Sequence, residues 1–335
     1  MDVLAFVCLL RSVTEFILLG FSLGHQGNIL LSMVFLPMYI TSLAGNLLIF
    51  CIVLGNSHLH TPMYFFLWNF SILDIMFTSV ISPQLLWNLL SGDQSISFSA
   101  CIAQLYFYFF LGTVQFFLLT SMSYDRYAAI CKPLHYHSVM SGEVCTKIVL
   151  ACWVCGFFSV LCPIVQISRL SFCGSNTINH FFCDTGPLLE LSCADTHFIE
   201  LMDFMLSSLV ILGSAILTFI SYACIISTIV LIPTTTSRAK AFNTCATHLT
   251  MISISCGISI FMYVTPSQKE TLDAHKVPAV LTTVVCPFVN PFLFTLKNDS
   301  VKEALRKTAQ KISDMMMGSI LATSKGKTFV LGGSL

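Results

Sequence analysis

Charged side chains are scarce in this 335-residue sequence: Asp, Glu, Lys and Arg make up only 10% of it. Soluble globular domains hold about 25%. Net charge is missing altogether, because 16 basic and 16 acidic residues cancel. Without a positive surplus the chain has no field to draw in phosphates, which excludes a nucleic-acid partner. Without polar surface it cannot clothe the core of a soluble enzyme. A disordered chain is excluded too, since disorder needs low hydrophobicity and high charge. Internal repeats and Pro/Ser-rich linkers are also lacking, so residues 1–335 read as one domain. What fills the sequence is apolar: 56% of it belongs to the AVILMFWYC set. That composition belongs to an integral membrane protein.

The few charges are placed so as to leave long gaps. No Asp, Glu, Lys or Arg occurs from Phe16 to Leu73, from Gln94 to Tyr124, or from Phe204 to Ser237. A membrane-spanning helix needs about 20 apolar residues. The gaps predict seven of them: Ile29–Leu54, Pro62–Leu86, Ser99–Ile130, Val144–Ile167, His197–Ile232, Lys240–Val264 and His275–Leu296. Helices are required because backbone polar groups in lipid must pair within their own segment. Strand alternation of the kind a barrel needs is absent. The fold class is therefore an all-α membrane bundle of seven spans, with the lipid bilayer as its solvent.

An odd number of spans puts the termini on opposite sides. One side collects Arg126, Lys132, Lys147, Arg238, Lys240, Lys297, Lys302, Arg306, Lys307 and Lys311; the other holds Arg11, Arg169, Lys269 and Lys276. Basic residues favour the cytoplasmic side. The N-terminus, about residues 1–28, is thus expected outside and the tail 297–335 in the cytoplasm. The apolar run Val3–Leu10 is too short to span and reads as a weak signal-like segment; the simpler expectation is that the first span itself is the uncleaved signal anchor.

Of 15 cysteines, most fall within the expected helices. Four fall on the oxidising outer side: Cys101, Cys173, Cys183 and Cys193. Four cysteines allow three connectivities. The favoured one is Cys101–Cys183 with Cys173–Cys193, which pins the long loop before the fifth span over the bundle. His180-Phe181-Phe182-Cys183-Asp184 has ligand types suited to copper or zinc, but a bridged Cys183 is no thiolate. No metal and no cofactor is expected.

Four strings stand in order along the chain. Leu59-His60-Thr61-Pro62-Met63-Tyr64-Phe65-Phe66-Leu67 opens the second span. Ser123-Tyr124-Asp125-Arg126-Tyr127-Ala128-Ala129-Ile130-Cys131-Lys132-Pro133-Leu134-His135-Tyr136 closes the third. Lys240-Ala241-Phe242-Asn243-Thr244-Cys245-Ala246-Thr247-His248-Leu249 opens the sixth, and Pro287-Phe288-Val289-Asn290-Pro291-Phe292-Leu293-Phe294 closes the seventh. Together they resemble the olfactory (odorant) receptors, within the rhodopsin-like G-protein-coupled receptors. The likeness runs from about Val13 to Lys311.

The resemblance implies an odorant receptor at the plasma membrane, whose partner is a stimulatory heterotrimeric G protein that raises cyclic AMP. It is not an enzyme. The implied switch comprises Asp125, Arg126, Tyr127, Lys240, His248, Asn290, Pro291 and Phe294. Asp125 holds Arg126 at rest, and Asn290-Pro291 weakens the helical ladder where a bend can rearrange. Asp74, the one ionisable group deep in a span, is a functional candidate by default; with Asn46 and Gln115 it forms the implied ion or proton site. The ligand pocket draws on an inward face of the third span, Leu105, Tyr108, Phe109, Gly112, Thr113 and Phe116. Family-like placement adds Leu206, Ser207, Val210, Cys256, Ser259, Ile260, Tyr263 and Thr283. Such a pocket suits a small, mostly hydrophobic volatile molecule. No cation stands in that set to fix a carboxylate, while Asp203 and Glu200 near the top of the fifth span leave an amine open but not favoured. Asn298–Ile312 reads as an amphipathic helix on the inner membrane face, with Ser300 and Glu303 at capping-box spacing.

Several positions depart from the family pattern. Gln115 replaces a Glu, Cys256 an aromatic, and Phe294 the Tyr that ends the Asn-Pro motif. The N-terminal glycosylation sequon is missing, and Met1–Leu10 and the tail after Ile312 have no family likeness. The rival reading is a receptor-like chain with poor surface expression or weak signalling. A channel or transporter would need more intramembrane charge than Asp74. A retinal protein would need a Lys between Val277 and Leu296, where there is none.

Overall fold

A computed structural model describes residues 13–21, 23–173, 175–231, 233, 235–264, 272–296, 301–308 and 310. Val3–Leu10, Lys269, Ser300, Lys311 and Ile312 lie outside the described residues.

Long helices dominate: α1 Gly24–Gly55, α2 Pro62–Ser91, α3 Phe98–Cys131, α4 Gly142–Ile167, α5 His197–Val230 and α6 Thr235–Tyr263. The seventh, α7, has three pieces: Leu272–Val280, a π turn over Leu281–Val285, and Cys286–Leu296. Six of the seven are long and apolar enough to cross a membrane; α6 contributes the shorter apolar stretch His248–Tyr263. Its first half carries Arg238, Lys240, Asn243 and Thr244, which suit water or headgroups rather than hydrocarbon.

Local chemistry sets the helix ends. Pro62 opens α2 in the first helical turn, where a missing N–H costs nothing. Gly92 closes it in the left-handed region at φ 75°. The Ser97 and Ser141 hydroxyls cap α3 and α4 by accepting from Ala100 N and Val144 N. Two contacts between helices demand glycine. A Cβ on Gly45 would lie 2.7 Å from Pro291 Cβ, and one on Gly156 would lie 2.6 Å from Val114 Cγ2. Small residues at these crossings let α1 approach α7, and α4 approach α3, backbone to backbone.

The helices bury one continuous core from Ile49 and Phe66 through Leu111 and Val114 to Met251 and Phe294. Leu30, Leu209 and Phe219 are exposed. That is the arrangement of a bundle solvated by lipid, in which interhelical packing replaces the hydrophobic effect.

A lid closes the end opposite Arg126. Residues before α1 form β1 Glu15–Leu18, flanked by β2 Ser95–Ser97 and β3 Thr177–Ile178. β1 runs antiparallel to β2, with Glu15 opposite Ser97, and parallel to β3, with Ile17 opposite Thr177. Phe16 and Leu18 point inward and are fully buried; Phe16 meets Phe172 edge-on at 5.4 Å. Both favoured cysteine pairs are joined: Cys101–Cys183 ties the loop to α3, and Cys173–Cys193 closes a turn within it.

Beyond α7, residues 301–308 form a further helix, α8. Val301 and Ala304 are fully buried in the bundle core, and Lys307 pairs with Glu303 at 2.6 Å on the exposed face.

Candidate functional site

Below the lid, α3, α5, α6 and α7 enclose a cavity of about 760 Å³, its mouth included. Room for one small molecule is what this offers. From α3 the wall receives Tyr108, Phe109, Gly112, Thr113, Gln115 and Phe116; from α5, Asp203, Leu206, Ser207, Val210 and Ile211. Ser255, Ser259 and Tyr263 come from α6, Thr282 and Cys286 from α7, with Phe77 and Val160 closing the sides. The Tyr108 and Tyr263 hydroxyls share a hydrogen bond at 2.9 Å. Phe182 of the lid lies 4.8 Å from the Tyr108 ring, so the lid forms the roof.

Ten of the fourteen residues expected in the pocket line it; Leu105, Cys256, Ile260 and Thr283 do not. Leu105 is fully buried higher up, in the lid core with Phe16, Cys101 and Cys183. Cys256 is buried in the bundle core, and Ile260 packs against that core. Thr283 is buried and bonds its own helix at Ala279 O, 2.7 Å away. The π turn changes the phase of α7, so that Thr282 and Cys286 face the cavity instead.

Gln115, expected beside Asp74, belongs to the cavity wall. Asp74 is fully buried and its Oδ2 accepts from Asn290 Nδ2 at 2.8 Å. Asn46 lies next to Asp74, but its amide donates to Ser42 O at 3.0 Å. Cys286 is the link between the two sites, since it lines the cavity and is electrostatically coupled to Asp74.

At the other end, Arg126 donates through Nε and NH2 to Asp125 Oδ2, and its side chain is 17% exposed. Tyr136, from the loop after α3, donates to Asp125 Oδ1 at 2.8 Å. Burial and the Asp125 charge push the Tyr136 phenol up, which keeps it a donor. Tyr222 and His248 share a hydrogen bond at 2.7 Å, between α5 and α6. Tyr127 packs on the Tyr222–Cys245 cluster, and Lys132 stands over its ring at 5.7 Å. Phe294 meets Phe70 edge-on at 5.6 Å, and Pro291 abuts Gly45. Lys240 lies on α6, its side chain outside the described residues.

Lid chemistry is unusual in two places. Asp184 is buried with Oδ1 capping Thr185 N at 2.9 Å, and burial pushes its carboxyl up to about 7, with Asp203 adding to the rise. His180 lies between Phe181 and Phe182; burial, then Lys276 and His275, pull it down to about 3. With Cys183 committed to the disulfide, the His-x-x-Cys string holds no thiolate for a metal.

Seven membrane helices, a disulfide-tied lid over a mainly apolar cavity, and an Asp-Arg pair at the far end define a multi-pass membrane receptor. Comparisons give the family. The family model described as olfactory receptor matches residues 35–311. Human olfactory receptor 6J1 is 62% identical over 295 residues, which are 88% of this chain and 85% of that protein. Human olfactory receptor 6T1 is 50% identical, covering 88% of this chain and 91% of its own. Human olfactory receptor 6C76 is 48% identical, covering 90% and 96%. The chain belongs to the olfactory receptor family of G-protein-coupled receptors, and it is a receptor rather than an enzyme.

Proposed function

We propose that the chain binds small, mostly hydrophobic volatile molecules in the cavity under the lid. Occupancy then activates a stimulatory heterotrimeric G protein and raises cyclic AMP. The observation that carries this reading is the roofed cavity itself, lined by Phe77, Phe109, Phe116, Val210 and Ile211 with a few hydroxyls among them. The receptor works at the plasma membrane with residues 1–28 outside and 297–335 in the cytoplasm, in line with the excess of Lys and Arg on the Arg126 side.

The mechanism is a population shift: a ligand favours the active bundle only by binding it better than the resting one. In the resting arrangement Asp125 holds Arg126, while Tyr222 and His248 tie α5 to α6. Ligand drawing α6 and α7 inward through Tyr263 and Thr282 strains those ties. Cys286, Asp74 and Asn290 carry the change past the Asn290-Pro291 bend. Release of Arg126 from Asp125 then opens a crevice between α3 and α6 for the G protein.

The test is a cyclic AMP reporter run over an odorant panel, with surface staining and Arg126→Ala as the comparison. Wild type responds, and Arg126→Ala reaches the surface but loses the response. Surface-exposed wild type that answers no odorant, or an equal response without Arg126, would refute the proposal.

A further inference from the structure

The described residues of the cavity wall hold one carboxylate and no base. Among the described residues that line it, Asp203 is the only charged side chain, and none is Lys, Arg or His. Its carboxylate makes no hydrogen bond and no ion pair with any described residue. One turn further along α5, Ser207 lines the same face. Behind this pole stands a second acid, the buried Asp184 of the lid, coupled electrostatically to Asp203 and to the Tyr108–Tyr263 pair. Of the basic groups near the roof, Lys276 donates to Asn179 Oδ1 at 2.8 Å and His275 packs on Phe261, and neither lines the cavity.

Such a pole sorts ligands by what they offer. A carboxylic acid would set a second negative charge against Asp203 with no cation to answer it. Ketones, aldehydes and esters carry acceptors only and offer the half-buried carboxylate no donor. An alcohol donates one hydrogen bond but no charge. An amine supplies a cation and two or three donors, which suit one unpaired carboxylate with hydroxyls around it.

We infer that the cavity selects a small amine, whose ammonium pairs with Asp203 while its carbon skeleton lies against Phe116, Val210 and Ile211. This rests on the reading of the cavity as the odorant site. Ser207 and the Tyr108–Tyr263 hydroxyls take the remaining donors, and the apolar wall limits the skeleton to about an odorant's size.

The experiment uses the full chain purified in lipid nanodiscs, with ligand-induced change in melting temperature as a readout that needs no G protein. The probes are hexylamine and cyclohexylamine, against hexanol, cyclohexanol and hexanoate. The amines should stabilise wild type and Asp203→Glu, with apparent affinity falling about tenfold or more in Asp203→Asn. The alcohols should bind Asp203→Asn as they bind wild type, and hexanoate should not bind wild type. Should Asp203→Asn not fold, Asp203→Ser carries the same comparison. Amines that fail to stabilise wild type overturn the inference, as do amines and alcohols weakened alike by Asp203→Asn. A parallel cyclic AMP assay separates the two readings. Amine binding that depends on Asp203 without a cyclic AMP response retires the receptor mechanism and leaves the inference standing. A cyclic AMP response to alcohols with no amine binding does the reverse.

Discussion

Gly156 offers a sharp test of how the cavity is held in shape. On α4 it faces Val114 of α3, four residues beyond the buried Phe110 and two beyond Gly112 of the cavity wall. An added Cβ would sit 2.6 Å from Val114 Cγ2 and 3.5 Å from Phe110 O and Val114 N. Val114 is fully buried and β-branched, and a helix leaves it essentially one rotamer, so it cannot swing aside. Gly156→Ala must therefore push α3 and α4 apart or force Val114 off its rotamer. Overpacking of this kind costs about 1–3 kcal/mol. Because unfolding of a membrane protein is seldom reversible, the measurement is the half-life of purified receptor at a fixed temperature. A cost of about 2 kcal/mol shortens that half-life about 30-fold if the contact is lost before the transition state. Pairing Gly156→Ala with Val114→Ala removes the methyl that clashes and should recover most of the loss, giving a coupling of about 1 kcal/mol or more. Gly213→Ala is the control, since nothing lies within 4 Å of its added Cβ; it should be neutral or slightly stabilising. If Gly156→Ala is neutral, or the two substitutions simply add, the close α3–α4 crossing is not what fixes the wall.

Two further outcomes follow from single groups. Asp184 is raised to about 7, so its neutral form stabilises the lid: that contribution is complete below its ordinary 3.8 and is lost as pH rises through about 7. His180 acts oppositely, its contribution present above 6.5 and lost as pH falls through about 3. Asp184→Asn keeps the cap on Thr185 N and should raise the melting temperature near about pH 8, the gain vanishing by about pH 4; a gain independent of pH would refute the burial argument. Asn290→Leu removes the donor to Asp74 Oδ2 and should destabilise by about 1–3 kcal/mol, measured by thermal inactivation. Adding Asp74→Leu should return part of that loss, because the unpaired acid then goes too.

Much of this was legible in the chain itself. Gaps between charges locate the helices because hydrocarbon tolerates neither ions nor unpaired backbone. The side of the membrane sorts the cysteines, and both favoured pairs are formed. Asp125-Arg126 is visible as a string and paired as neighbours. β1 escaped notice because Ile17 is as apolar as Phe16 and Leu18, which hides the alternation its burial obeys.

What the sequence determined by itself is what depends on transfer between water and lipid: the number of spans, the distribution of basic residues and the apolar faces. Those are properties of single residues and their period along one helix. Tertiary structure decided which side chain on each face meets which neighbour. Thr282 rather than Thr283 reaches the cavity because a π turn changes the phase of α7. Gln115 faces the cavity instead of Asp74, and Asp203 stands in its wall without a partner among the described residues. Helix rotation and axial register are set by contacts such as Gly156 on Val114 and Gly45 on Pro291, where side chains from distant parts of the chain interlock. No period along one helix encodes them.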